Sequence, residues 1–173
     1  PGQASAAIAG RNVDITARVD LANGDEGVLF ATGTANSGMT IFIQDGRLVV
    51  DYNALGDHTV LESNTAIPAG THTLTVKLRK AEQRAGRLEI AIDGADAGTV
   101  DLPFLMVMMS SLGPSIGYDH GSPVSPRYQS PFAFPGTLHE IVVQANPERF
   151  PGDDAAADGA IARARMNPQS TPP

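Results

Sequence analysis

The 173-residue chain contains no cysteine and no tryptophan. Without thiols it can hold no disulfide, no zinc–thiolate centre and no cysteine nucleophile, while the compartment stays open. With 3 tyrosines and 6 phenylalanines, exposed aromatic platforms on which a ligand could stack are scarce. Lysine is almost missing too: Lys77 and Lys80 stand beside ten arginines, and 19 acidic residues outweigh these cations for a formal charge of −7. That balance excludes nucleic acid and anionic membrane as partners, because neutralising phosphates takes clustered Lys and Arg. The longest apolar run, "LPFLMVMMSSL" at 102–112, falls well short of the roughly 20 residues of a membrane span. The opening residues, "PGQAS", carry no initiator methionine, basic segment or signal-peptide core. The chain therefore reads as a piece of a longer polypeptide or a processed form.

What is present is alternation. In "NVDITARVDL", Val13, Ile15, Ala17, Val19 and Leu21 share one face while Asp14, Thr16, Arg18 and Asp20 share the other. Period two defines a half-buried strand. The pattern returns with Leu74, Val76 and Leu78, and with Leu88, Ile90 and Ile92; a last strand is expected over 136–145. Asp45-Gly46 and Asp93-Gly94 separate apolar runs, the signal of a tight hairpin. Short strands at hairpin spacing predict an all-β antiparallel sandwich in one domain, residues 1–152, with an N-terminal arm at 1–10. In "DDAAADGAIARARM", 153–166, acids lead and arginines trail, the polarity of a short C-terminal helix; 167–173 reads as a tail.

The densest chemistry lies in "GYDHGSPVSPRY", 117–128. Asp119, Ser122 and Ser125 are the calcium candidates, but one carboxylate is few for a cation that takes six to eight oxygens. His120 beside Asp119, Ser122 and Ser125 has the residue types of a nucleophilic triad, yet adjacency on a loop supplies neither triad geometry nor an oxyanion hole. The bland reading is a fastener, in which Gly117 and Gly121 permit tight turns and Pro123 and Pro126 stiffen the return. His72 and His139 are placed at outward strand positions. Glu89 and Asp93 are the nearest approach to a glycosidase carboxylate pair, with Ala91 where a middle acid would stand. The Met-rich run at 103–109 is either core or docking surface.

Taken in order, "GRLVVDYNALG", "AIPAGTHTLTVKL", "LEIAIDG", "IGYDHGSPVSPRY" and "FPGTLHEIVV" resemble the C-terminal domain of bacterial arylsulfatases, from about Arg11 to Val143. The resemblance implies a concanavalin A-like, laminin-G-like jelly-roll sandwich. Gly117, Tyr118, Asp119, Gly121, Ser122, Pro123, Ser125 and Tyr128 then form its structural signature loop. It also implies a non-catalytic accessory domain that packs on an upstream sulfatase catalytic domain of the same polypeptide, in bacterial cytoplasm or periplasm. Such a parent needs a divalent cation and formylglycine. This chain carries no nucleophile-x-Pro-x-Arg pattern, since Val124 stands two before Pro126. Leu112 and Gly113 replace an acidic pair usual before the signature, and Pro126 and Arg127 replace acids usual within it. Tyr52, Asn53, Phe132 and Phe134 are the expected ligand or docking surface. The alternative is a stand-alone lectin-like module that binds carbohydrate or calcium.

Overall fold

Asn12–Leu21 forms strand β1, and its five apolar alternates are at most 7% exposed, facing one core. Nine further strands follow: β2 Gly27–Thr34, β3 Ser37–Gln44, β4 Arg47–Ala54, β5 Asp57–Glu62, β6 Gly70–Lys80, β7 Gly86–Ile92, β8 Ala95–Leu102, β9 Ser115–Ile116 and β10 Thr137–Asn146. The computed structural model describes residues 11–106 and 113–146, so the expected arm at 1–10, helix at 153–166 and tail at 167–173 lie outside the described residues. Among the described residues, no helix is long and apolar enough to cross a membrane.

The strands make two antiparallel five-stranded sheets, ordered β10-β1-β6-β7-β8 and β5-β4-β3-β2-β9. The protein is an all-β jelly-roll sandwich. Between its sheets lies the main core, with Val19, Leu74, Leu78, Leu88 and Ile90 from the first sheet meeting Leu29, Phe30, Ile41, Ile43 and Val50 from the second. A bulge between Val28 and Phe30 turns both Leu29 and Phe30 into this core, where strict alternation would bury one of them.

Among the described residues, three of the four two-residue hairpin loops share one geometry. Asp45-Gly46, Leu55-Gly56 and Asp93-Gly94 have φ of 52° and 68°, 59° and 96°, and 51° and 81°. Positive φ at both central residues is the type I′ geometry, whose twist matches that of the flanking strands. Leu55 reaches it without the local side-chain hydrogen bonding that helps Asp, and it stands 77% exposed.

The two sheets differ in their outer faces. That of the first sheet is polar and open. In β2, β3 and β4, by contrast, nearly every residue is buried, because residues 117–136 fold across the outer face of the second sheet. Val124, Tyr128 and Phe132 seal Val28, Ala31, Phe42 and Val49 into a second apolar cluster. Strands covered on both faces lose the apolar–polar alternation and read as continuous apolar runs. The covering chain is tied by backbone bonds from Val28 N–H to Phe132 O at 2.8 Å and from Gly117 N–H to Leu29 O at 2.9 Å. It passes so close to β2 that a Cβ on Gly27 would sit 2.5 Å from Phe134 Cα.

Of the Met-rich run, Leu105 and Met106 are buried in the main core while Phe104 is 38% exposed; residues 107–112 lie outside the described residues.

Candidate functional site

The signature loop is the natural first candidate, and its polar groups are turned inward. Asp119 is 2% exposed. Its Oδ2 lies 2.7 Å from the Tyr128 hydroxyl and 3.1 Å from Val124 N–H, while Gly121 N–H reaches Oδ1 at 3.5 Å. A carboxylate only accepts, so Tyr128 donates to Asp119 and accepts from the Thr40 hydroxyl at 3.0 Å. Burial, the largest cause, pushes the Tyr128 phenol far above its ordinary range; the Thr40 bond opposes this and the Asp119 carboxylate adds to it. Phe42 meets the Tyr128 ring edge-on at 5.1 Å, and Phe132 stacks on it at 5.2 Å.

The other loop residues go to separate partners. Ser122 Oγ accepts from Ala35 N–H at 3.1 Å and Ser125 Oγ from Arg127 N–H at 3.3 Å. His120 Nδ1 sits on Ser115 Oγ, a hydroxyl the motif does not include. Asp119, His120, Ser122 and Ser125 are thus not joined as a triad. Nor do Asp119, Ser122 and Ser125 fit a calcium ion, since the single carboxylate is buried and already accepts from a phenol and an amide. Among the described residues, no group of three or more His, Cys, Asp and Glu side chains is placed to hold a metal. Tyr118 is 46% exposed, with its edge towards His120.

Burial corrects two members of the expected ligand or docking surface, Tyr52 and Asn53, while Phe132 and Phe134 are partly exposed. Tyr52 and Asn53 are 1% and 0% exposed. Tyr52 points between the sheets, where its oxygen accepts from Met106 N–H at 2.8 Å, and burial raises its phenol pKa against that bond. Asn53 lies under the loop and donates to Ala35 O and Val124 O. Phe132 packs in the second cluster and Phe134 against the main core. His72 is also corrected. It shares the parity of Leu74, is 9% exposed, and places Nδ1 2.6 Å from Asp93 Oδ2 and Nε2 2.9 Å from Pro68 O. Asp93 is thereby held in its hairpin, apart from any glycosidase pairing with Glu89.

An open hollow exists on the outer face of the first sheet, with a volume of about 340 Å³. Ala91 on β7 is among its lining residues. Rows of side chains cross β6, β7 and β8 in register: Thr75, Ala91 and Asp96 form one, and Lys77, Glu89 and Thr99 the next. Arg79, Arg87 and Asp101 form a third. Among these long side chains a single methyl leaves a depression. A bulge between Ile90 and Ala91 bends β8 at the same point, where Asp96 Oδ1 accepts from Gly98 N–H at 3.2 Å.

Of the four charged residues lining the hollow, Arg87 is in an ion pair. Arg87 Nε donates to Asp101 Oδ1 at 2.8 Å, which is the main cause of its raised pKa, and Arg79 pairs with Asp14 at 2.6 Å. Lys77 and Glu89 face each other across β6 and β7, both half-buried, and among the described residues neither is in an ion pair. Lys77, Thr99 and Asp96 carried no signal in the sequence beyond outward parity. The usable hint was Ala91, a small residue at an outward position between longer ones.

No protein-family model matches the chain, and no characterised protein matches it in sequence. Solved structures do match. Domains LG4-5 of the mouse laminin α1 chain superpose with a TM-score of 0.58 at 16% identity, covering 80% of this chain and 38% of that one. The CBM40 of the Ruminococcus gnavus IT-sialidase, bound to α2,6-sialyllactose, gives 0.54 at 14% identity, covering 91% and 87%. A heptameric SAP-like pentraxin from Limulus polyphemus gives 0.52 at 15%, covering 77% and 63%. The chain spans less than two thirds of the laminin and pentraxin chains. At these identities the likeness is one of fold, and it defines a laminin G-like, concanavalin A-like sandwich.

Proposed function

We propose that the chain is a lectin-like, non-catalytic binding module that holds carbohydrate in the hollow around Ala91. The observation that carries this reading is the free pair Lys77 and Glu89 beside that hollow, in a molecule whose other outer face is sealed by its own loop. A volume of about 340 Å³ lies at the small end of ligand sites, which run roughly 300–1,000 Å³. The CBM40 domain, whose fold is similar, is bound to a sialylated sugar, and that supports looking for a glycan here. With no aromatic platform in the hollow, affinity rests on hydrogen bonds to two charged groups. At about 2 kcal/mol each these give a Kd on the order of 1 mM.

Calorimetric titration of the full chain with a panel of oligosaccharides tests this reading, with an Ala91→Trp variant as control. Ala91→Trp fills the hollow on an exposed face, so binding should vanish while the melting temperature stays near that of the parent. Binding that survives the indole would place the ligand elsewhere.

The order of the five stretches that resemble the arylsulfatase C-terminal domain supports a second reading, an accessory domain packed on a sulfatase catalytic domain. Against it, Phe132 and Phe134, the apolar groups expected to dock, are already partly buried against the chain's own sheets. An in-frame Cys- or Ser-x-Pro-x-Arg segment in the coding DNA upstream of Pro1 would favour it. A start codon directly before Pro1 would remove it.

A further inference from the structure

We infer that the hollow selects uncharged, hydroxyl-rich glycans over sulfated, uronic or sialylated ones. The inference rests on the carbohydrate reading and adds the ligand class. Its basis is the charge left after internal pairing. Arg87, in the lining, is paired with Asp101, and Arg79, in the same cross-strand row, with Asp14. Of the four charged residues that line the cavity, Arg87 is spent on Asp101, which leaves Lys77 against two carboxylates, Glu89 and Asp96. Asp96 accepts one backbone N–H, from Gly98. An anionic ligand drawn to the Lys77 ammonium would bring its own charge beside Glu89, which lies directly across the strand pair. Like charges in such cross-strand proximity oppose binding.

A neutral sugar meets no such conflict. The Lys77 ammonium only donates and the Glu89 carboxylate only accepts, whereas every sugar hydroxyl can do both. Two neighbouring hydroxyls can therefore bridge the pair, one accepting from Lys77 and the next donating to Glu89. The Thr99 hydroxyl donates to Leu88 O at 3.0 Å, so towards the cavity it offers acceptor lone pairs. Ala91 supplies a small apolar floor for the C–H face of a ring. The chain's formal charge of −7 works in the same direction.

The test uses the full chain with three probes: lactose, sialyllactose and a sulfated heparin disaccharide, titrated calorimetrically against the parent, Lys77→Ala and Glu89→Gln. Circular dichroism of each variant confirms the fold. Lactose should bind best; Lys77→Ala should weaken it about thirtyfold, the loss of one hydrogen bond to a charged group, and Glu89→Gln by less, because the amide oxygen still accepts. Raising the salt should leave its Kd nearly unchanged. The Glu89→Gln result decides the sign. If an anionic probe binds tighter than lactose and Glu89→Gln strengthens it, the selectivity inference is overturned while the carbohydrate reading survives. If no probe binds the parent, both fall.

Discussion

Tyr128 and Asp119 are joined by a 2.7 Å hydrogen bond in a site where Asp119 is 2% and Tyr128 7% exposed. The bond ties two parts of the covering segment to each other, and Tyr128 fastens that segment to the second sheet by reaching Thr40 on β3. The loop's polar residues thus face its own sheet, and the open outer face is that of the first sheet.

Tyr128→Phe keeps the ring contacts with Phe42 and Phe132 but removes the donor to a buried carboxylate. An unsatisfied buried polar group costs about 1–3 kcal/mol, more when charged. Urea unfolding of Tyr128→Phe should show a loss of at least that size. A change within about 0.5 kcal/mol, typical of a surface substitution, would mean that the bond does not hold the loop.

Alkali acts on the same site. Burial raises the phenol pKa values of Tyr128 and Tyr52, so the folded state favours the neutral form. The stability this gives is fully present below the unfolded phenol value of about 10 and is lost as pH rises beyond it. Tyrosinate absorbance at 295 nm and circular dichroism, followed together above pH 10, should show the two buried phenols ionising with unfolding. Their ionisation in a folded chain would contradict the burial.

Acid works in the opposite sense through Asp20 and Asp93. The Thr71 hydroxyl first, then His139, lowers the Asp20 pKa; the Thr73 N–H first, then His72, lowers that of Asp93. Depressed folded values give stability that is present above the ordinary carboxylate range and lost as pH falls through them. Melting temperature should decline below about pH 4. The effect is small because both groups are exposed to solvent. Asp93→Asn should flatten the decline, and an unchanged slope would count against the hairpin contact.

Leu55 occupies the left-handed region at φ 59° with its side chain in solvent. Left-handed backbone costs a non-glycine residue roughly 1–2 kcal/mol, less for Asn. Leu55→Asn should therefore raise stability by about 0.5–1 kcal/mol and preserve the turn. A loss in chemical denaturation would show that Leu55 makes contacts that outweigh the strain.

The fold was legible where local rules decide it. Val13 to Leu21, Leu74 to Leu78 and Leu88 to Ile92 alternate, and Asp45-Gly46 and Asp93-Gly94 turn as their dipeptides require. Legibility ended where a distant segment chooses the face. Tyr52 and Asn53 were expected at a surface because nothing local reveals that residues 117–136 close over Asn53 or that Tyr52 points to Met106. His72 was legible and was placed outward against its own parity, since it lies in phase with the inward Leu74. The hollow arises from Ala91, a bulge in β8 and the register of three strands, and no one of these is a motif. Lys77 and Glu89 lie 12 positions apart in sequence and meet only through β6–β7 pairing.

The most direct measurement is a map of backbone amide shifts in the full chain as a neutral oligosaccharide is added. The account predicts that Lys77, Glu89, Ala91 and Thr99 move together, while Asp119 to Tyr128 stay still under their own hydrogen bonds. Shifts confined to residues 117–128 would contradict it, and so would none at the hollow at ligand concentrations well above about 1 mM.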